Sequence, residues 1–306
     1  MFSVIFPGQG SQIVGMGKDL ISKYPSVKSN FDKADQILGF SISNMILNGP
    51  KEELDLTKNT QPAIFLLSYS IFNLIKNEFG IDLNKAKYFA GHSLGEYSAL
   101  SAAGVISFTD TLKILKKRGE AMQSAVPKGE GGMLAILGAE VKIVEDITKK
   151  FETEIANDNS NGQLVVSGLI KNLNNLAEEL KIKNIKNIKL PVSAPFHCKL
   201  MKKATEVMRK EIEQINFNNP QNKLISNVTA KEVSEPSEIK NLLIQQIESR
   251  VRWRESIINM INNGVKQFIE IGPGKVLSGL IKRIDKSVKV NAINNEQDIN
   301  NIEIND

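Results

Sequence analysis

Ala90-Gly91-His92-Ser93-Leu94-Gly95-Glu96-Tyr97 is the stretch on which the reading of this chain turns. Its centre, Gly91-His92-Ser93-Leu94-Gly95, fits the pattern G-x-S-x-G, in which a serine sits on a strained turn between a strand and a helix. Upstream, the short apolar run Lys87-Tyr88-Phe89-Ala90 suits a buried strand. Downstream, residues 96–103 are rich in helix formers, and Gly104 offers a place to stop. Glycine at 91 and 95 permits the tight turn and a close approach of strand to helix. The helix that follows points unsatisfied N–H groups and its positive dipole end at the serine, where an oxyanion would form. Ser93 is the expected nucleophile.

A serine hydroxyl attacks poorly until a base takes its proton. The chain has two histidines. The side chain of His92 should point away from that of its neighbour, Ser93. His197 lies in Ser193-Ala194-Pro195-Phe196-His197-Cys198, a loop between a strand and a helix, and strand ends are where functional side chains gather in open α/β folds. His197 is therefore the expected base. A hydrolase triad would add an acid to hold its tautomer, but no Asp or Glu stands out, and a backbone carbonyl is an alternative. Cys198 reads as a small buried hydrophobe rather than a second nucleophile. Arg118, on the helix after the elbow helix, is either a surface cation in the run Lys116-Lys117-Arg118 or a paired-bond holder of a substrate carboxylate.

Composition narrows the function classes. With 306 residues, 41% hydrophobic and 24% charged, the chain suits one large or two modest globular domains. A single cysteine excludes a disulfide framework, and with only two histidines no metal site is expected. No apolar run approaches the roughly 18–20 residues of a membrane span. Met1-Phe2-Ser3-Val4-Ile5-Phe6-Pro7 lacks the charged start of a signal peptide and reads as a first strand, so a cytoplasmic protein is expected. A formal charge of +5 and a pI of about 9.0 suit an acidic partner or substrate. Aromatics at 6% and the lack of a binding motif argue against nucleic acid.

The remaining pattern is α/β. Pro7-Gly8-Gln9-Gly10-Ser11-Gln12 follows the first strand as a loop, but it lacks the third glycine of a dinucleotide site and the lysine of a phosphate loop. Thr60-Gln61-Pro62-Ala63 opens a helix with proline in its first turn, running apolar to residue 79 before Gly80. Thr109 or Asp110 should cap the helix that carries Arg118. From Gly131 the texture changes to a β-α-β-β-α-β order, the ferredoxin-like arrangement. The expected organisation is a discontinuous core of residues 1–127 and 193–293, an inserted α+β subdomain at 128–192, and a frayed tail at 294–306.

Pro7-Gly8-Gln9-Gly10-Ser11-Gln12, Thr60-Gln61-Pro62-Ala63, the elbow, Arg118-Gly119, Gly162-Gln163 and Pro195-Phe196-His197-Cys198 occur in this order. In these motifs the chain, over residues 2–290, closely resembles the malonyl-CoA:acyl-carrier-protein transacylases of bacterial type II fatty-acid synthesis. The resemblance implies an α/β fold, a hydrolase-like core with a mostly parallel sheet plus an inserted ferredoxin-like α+β subdomain. It implies ping-pong transfer, with Ser93 taking malonyl from malonyl-CoA and the phosphopantetheine thiol of an acidic acyl carrier protein collecting it. His197 would act as base and then as acid. The oxyanion-hole N–H groups fall on Gln9 and Leu94, and Arg118 takes the malonyl carboxylate.

In the family a V-x-W segment supplies the carbonyl that orients the histidine. Here it is Val251-Arg252-Trp253, with Arg252 where glutamine is common. Gln61, Asn157, Asn159 and Phe196 are implied substrate contacts, with Asn161 in place of a frequent proline. The Phe196 ring would disfavour a methylmalonyl group, by the 1–3 kcal/mol that about one methyl is worth. No cofactor is implied, the protein would be a monomer, and Lys199, Lys202, Lys203, Arg209, Lys210, Lys282, Arg283 and Lys286 are available to meet the acidic carrier or CoA phosphates. A discrete polyketide acyltransferase shares this chemistry. A serine esterase or thioesterase would use water as acceptor, show a triad acid and have no need of Arg118. A non-catalytic docking module would not need Ser93, His197 and Arg118 intact.

Overall fold

Phe2–Phe6 is buried at every position, as an apolar run must be when helices cover both faces of its sheet. The computed structural model describes residues 1–192 and 194–304. Its strands, in chain order, are β1 (Phe2–Phe6), β2 (Tyr88–Gly91), β3 (Gly131–Leu137), β4 (Glu154–Ser160), β5 (Gln163–Leu169), β6 (Lys186–Lys189), β7 (Lys223–Ile225), β8 (Glu232–Val233), β9 (Gln267–Ile271) and β10 (Lys289–Ile293). They form a mixed α/β fold with two sheets.

The larger sheet has the order β10-β9-β1-β2-β7-β8. It is parallel except for β8, which pairs antiparallel with β7. The period of two along β1 sends Phe2, Val4 and Phe6 into the main core and Ile5 into a second cluster with Trp253, Phe268 and Ile281. The helix Thr57–Glu78 runs through the main core. It begins three residues before Thr60, so Pro62 lies inside it rather than in its first turn. A helix-interior proline costs about 3 kcal/mol. Burial of Ile64, Phe65, Leu66, Leu67, Ile71 and Phe72, at roughly 1.5–3 kcal/mol each, outweighs it.

The smaller sheet is antiparallel, in the order β4-β5-β3-β6. Helix Val141–Lys150 joins β3 to β4, and helix Ile170–Ile182 joins β5 to β6. Leu134 and Ile136 of β3 pack with Val144, Leu173 and Leu176, while Met133, one residue out of phase with them and so on the other face, joins the main core. The two units are tied at β4. Val251 N–H donates to the Ala156 carbonyl at 2.8 Å, and Asp158 N–H to the Val251 carbonyl at 2.9 Å. Arg254 grips the fully buried Asp158 carboxylate through Nε at 2.9 Å and Nη2 at 2.8 Å, the two-pronged geometry that a buried pair needs.

The expected frayed tail is largely ordered. Asn295 caps helix Glu296–Asn300 by accepting from Asp298 N–H at 2.9 Å. Ile299 is buried, Ile302 and Ile304 pack on the core, and Gln267 Nε2 donates to the Glu303 carbonyl at 2.7 Å. Three isoleucines spaced through a polar, Asn-rich stretch are enough to dock it, because the main core offers them an apolar surface. Ser193, where the return to the core was expected, and residues 305–306 lie outside the described residues. Among the described residues no helix is long and apolar enough to cross a membrane.

Candidate active site

The elbow forms at the end of β2. Ser93 adopts φ 54° and ψ −108°, a conformation that costs a non-glycine residue about 1–3 kcal/mol and must be held by its surroundings. Asn227 holds it. Its Oδ1 accepts the Ser93 N–H at 2.7 Å, and its Nδ2 donates to the Gly91 carbonyl at 2.7 Å. A Cβ at Gly95 would strike the Phe6 carbonyl, so only glycine lets helix Leu94–Ala102 start this close to β1.

His197, also at positive φ, reaches over the elbow from the loop after β6. Its Nε2 lies 2.8 Å from Ser93 Oγ, and its Nδ1 lies 2.8 Å from the Gln246 carbonyl oxygen. A carbonyl only accepts, so Nδ1 carries the proton and Nε2 presents its lone pair to the serine hydroxyl. The orienting carbonyl therefore belongs to Gln246 and not to Arg252. Arg252 caps helix Trp253–Asn262, and its carbonyl accepts from Ser256 N–H at 2.9 Å and Ser256 Oγ at 2.8 Å. Its side chain pairs with Glu255 at 2.9 Å. Burial holds the Cys198 thiol up at about 12, which leaves it a packed hydrophobe beside the base.

Arg118 is not a surface cation. It sits on helix Phe108–Ser124, whose cap is Ser107, with Oγ accepting Asp110 N–H at 3.0 Å, rather than Thr109 or Asp110. Gly119 lets that helix meet the start of helix Thr57–Glu78, where a Cβ would come within 2.6 Å of Lys58 Cα and the Thr57 carbonyl oxygen. That contact brings Gln61 to Arg118, which is only 1% exposed. Arg118 Nη1 donates to Gln61 Oε1 at 2.8 Å, while Nη2 donates to Gln246 Oε1 at 2.8 Å and to Ser93 Oγ at 3.1 Å. The guanidinium lies over the Tyr97 ring at 5.4 Å. A buried cation of this kind suits an anionic ligand far better than it suits a plain apolar pocket.

The other histidine is part of the frame. His92 Nε2 lies 2.8 Å from Asn159 Oδ1, and its ring meets Trp253 edge-on at 5.7 Å. A cavity of about 120 Å³ opens at Ser93, lined by Gln9, Gln61, Leu94, Arg118, Asn157, Phe196 and His197 among others. Asn159 does not line it; its Oδ1 lies against His92 Nε2. Among the described residues neither the Gln9 nor the Leu94 N–H has an acceptor, and both residues line the cavity. A wider cleft of about 520 Å³ reaches His197 from the side of Arg250 and Arg252.

Burial lowers the His197 pKa to about 3, with the Arg118 charge as the second cause. The His197 ring is therefore neutral across the physiological range, far from the ordinary histidine value near 6.5. Burial pushes Glu96 up to about 7 against the pull of its hydrogen bonds to Gln246 and Asn227. Sequence reasoning passed over Gln246, Asn227 and Glu96. Glu96 stood in the quoted motif without a role. Gln246 and Asn227 sat in segments legible only as a helix and a strand.

The geometry is that of an acyl-transferring serine enzyme, and the comparisons agree. The model of the acyl transferase domain matches residues 3–302, and the chain belongs to that family. It is 45% identical over 302 residues to the malonyl CoA-acyl carrier protein transacylase of Bacillus subtilis, covering 96% of this chain and 94% of that protein. It is 38% identical over 298 residues to the Escherichia coli K12 protein of the same name, covering 96% of each. An acyl-carrier-protein S-malonyltransferase crystal structure from Bartonella henselae superposes with a TM-score of 0.95 at 42% identity, covering 98% of this chain and 97% of that one. A malonyl-transacylase in complex with a type II polyketide acyl-carrier protein superposes at 0.94 with 37% identity, covering 97% of each chain.

Proposed function

We propose that this chain moves the malonyl group from malonyl-CoA to the phosphopantetheine thiol of an acyl carrier protein, through a malonyl-serine intermediate. The observation that carries the reading is the convergence on Ser93 Oγ of a base, His197 Nε2, and a buried cation, Arg118 Nη2. The base makes the hydroxyl a nucleophile. The cation gives the acyl pocket a reason to prefer a diacid.

In the first half-reaction Ser93 Oγ attacks the thioester carbonyl carbon as His197 Nε2 takes its proton. The oxyanion is met by the N–H groups of Gln9 and Leu94, where one such donor is worth roughly 2.7–4 kcal/mol. The Gln246 carbonyl, on Nδ1–H, stabilises the imidazolium that forms and does the work a triad acid does elsewhere. Collapse breaks the C–S bond, and the departing thiolate recovers the proton from Nε2. The second half runs the same steps with the carrier thiol as nucleophile and Ser93 as leaving group. Side chains, N–H groups and the Gln246 carbonyl handle every proton and charge in this scheme, so it calls for no cofactor.

Gln61 and Asn157 line the acyl cavity and are assigned to the malonyl end. Phe196 restricts the α-carbon. The β-α-β-β-α-β unit, with strand order β4-β5-β3-β6, we read as a ferredoxin-like subdomain at 128–192, set into a hydrolase-like core that includes the tail. We read the protein as a monomer that works in the cytoplasm on a CoA thioester. The carrier-protein acceptor is supported by the superposition on the malonyl-transacylase–carrier complex.

Two expected results test this. Intact-protein mass spectrometry with malonyl-CoA should show a malonyl adduct on Ser93 that moves to holo carrier protein when it is added. Prompt loss of the adduct to water without carrier would establish a hydrolase instead. In a pH series, a base must be unprotonated to act. Because burial places the His197 pKa at about 3, kcat/KM should stay level as pH falls through the ordinary histidine range to about pH 5. An acid limb centred near 6.5 would mean that His197 is not a buried base.

A further inference from the structure

Beside Ser93 the scheme above leaves a deeply buried acid without a task. Glu96, 6% exposed, stands in the first turn of helix Leu94–Ala102. Its Oε2 accepts from Gln246 Nε2 at 2.6 Å and from Asn227 N–H at 3.2 Å. The same Gln246 amide donates to the Ser93 carbonyl at 3.1 Å and turns its Oε1 to Arg118 Nη2 at 2.8 Å. An amide has one donating and one accepting end. A carboxylate oxygen on one side leaves only the accepting end for the guanidinium on the other. With no acceptor at position 96, the amide loses its shortest bond and keeps only the longer ones to the Ser93 carbonyl at 3.1 Å and to Asn227 Oδ1 at 3.4 Å, so it could reverse and set N–H against N–H at Arg118.

We propose that Glu96 is a positioning residue for diacid selection: by fixing the polarity of the Gln246 amide, it holds the Arg118 guanidinium in place beside Ser93. Gln246 then serves both halves of the site. Its main-chain carbonyl orients His197, and its side chain aligns Arg118. The carbonyl belongs to the last residue of helix Pro236–Gln246 and is placed by the backbone, so the side-chain link can fail while the base stays in position. This inference rests on the carboxylate role given to Arg118 above.

The test compares kcat/KM for malonyl-CoA and acetyl-CoA, with holo carrier protein as acceptor, in Glu96→Gln and Glu96→Leu. Glu96→Gln keeps an acceptor oxygen and should hold the malonyl-to-acetyl ratio within about threefold of wild type. Glu96→Leu should lower that ratio by about tenfold or more, mainly through malonyl KM, with acetyl nearly unchanged. The charge effect alone runs the other way, since removing an anion beside Arg118 should tighten malonyl binding. Equal falls for both acyl groups in Glu96→Leu, or a fall in Glu96→Gln as large as in Glu96→Leu, would overturn the proposal.

Should Glu96→Leu not fold, Gln246→Met cuts the same link from the other side and must lower the malonyl-to-acetyl ratio, whatever it does to the two rates together. Arg118→Ala is read alongside. A ratio unmoved by Arg118→Ala would bring down the carboxylate reading itself. A ratio that collapses in Arg118→Ala and survives in Glu96→Leu would bring down the positioning role alone.

Discussion

Ser93→Ala should yield no acyl-enzyme on exposure to malonyl-CoA and should lower kcat for carrier loading by about 10⁴-fold or more, the scale of removing a nucleophile from a dyad or triad. The reason is local. Ser93 Oγ is the one atom that both His197 Nε2 and Arg118 Nη2 face, at 2.8 and 3.1 Å, so its loss leaves the base and the cation nothing to activate. The variant should still fold. The strained backbone at position 93 is held by Asn227 through main-chain groups, and these do not depend on the hydroxyl. The check is intact mass for the adduct, carrier acylation for the rate, and a denaturation curve for the fold. A malonyl adduct that persists in Ser93→Ala would move the nucleophile elsewhere.

The second large effect belongs to Arg118→Ala. Two charge-assisted hydrogen bonds to a carboxylate, at about 1.5–3 kcal/mol each, amount to about 3–6 kcal/mol. At 1.4 kcal/mol per factor of ten, this is a loss of roughly 10²–10⁴ in kcat/KM for malonyl-CoA. Acetyl-CoA has no carboxylate to lose and should fall by about tenfold at most, from the loosened packing around Gln61 and Gln246. The measurement is a paired assay of the two thioesters on wild type and variant. Equal losses would take the carboxylate role away from Arg118. They would also favour a general serine acyl-transfer site over one built for a diacid.

Neither effect was equally visible before folding. Ser93 was legible because the nucleophile and the glycines that allow its turn are neighbours in the chain, and strand and helix signals flank them. His197 followed by elimination, since only one other histidine exists. Arg118 stood undecided between two readings. The Lys116-Lys117-Arg118 run looks like a solvated face, and only the packing of helix Phe108–Ser124 against helix Thr57–Glu78 at Gly119 buries the third cation and not the first two. The assignment of the histidine-orienting carbonyl to Arg252 failed because a main-chain carbonyl has no residue signature. At 252 the carbonyl is consumed by the helix it caps, whereas at 246 a helix is ending and its carbonyl takes only one long main-chain bond, from Ser249 N–H at 3.4 Å, beside the 2.8 Å contact with His197.

The chain's local pattern determined the elbow with Ser93 at its turn, the alternation of helices and strands in the core, and the β-α-β-β-α-β order of the smaller unit. All of these are written in residues close in sequence, through turn chemistry and the periods of two and 3.6. Tertiary structure alone decided which carbonyl faces His197, that Asn227 pins the elbow, that Glu96 reaches Gln246 across 150 positions, and that the polar tail docks through Ile299, Ile302 and Ile304. Each of these depends on hydrogen bonds or apolar contacts between segments far apart in the chain. Their partners are selected by burial, where an unpaired polar group is costly, and burial is a property of the packed molecule rather than of any stretch of it.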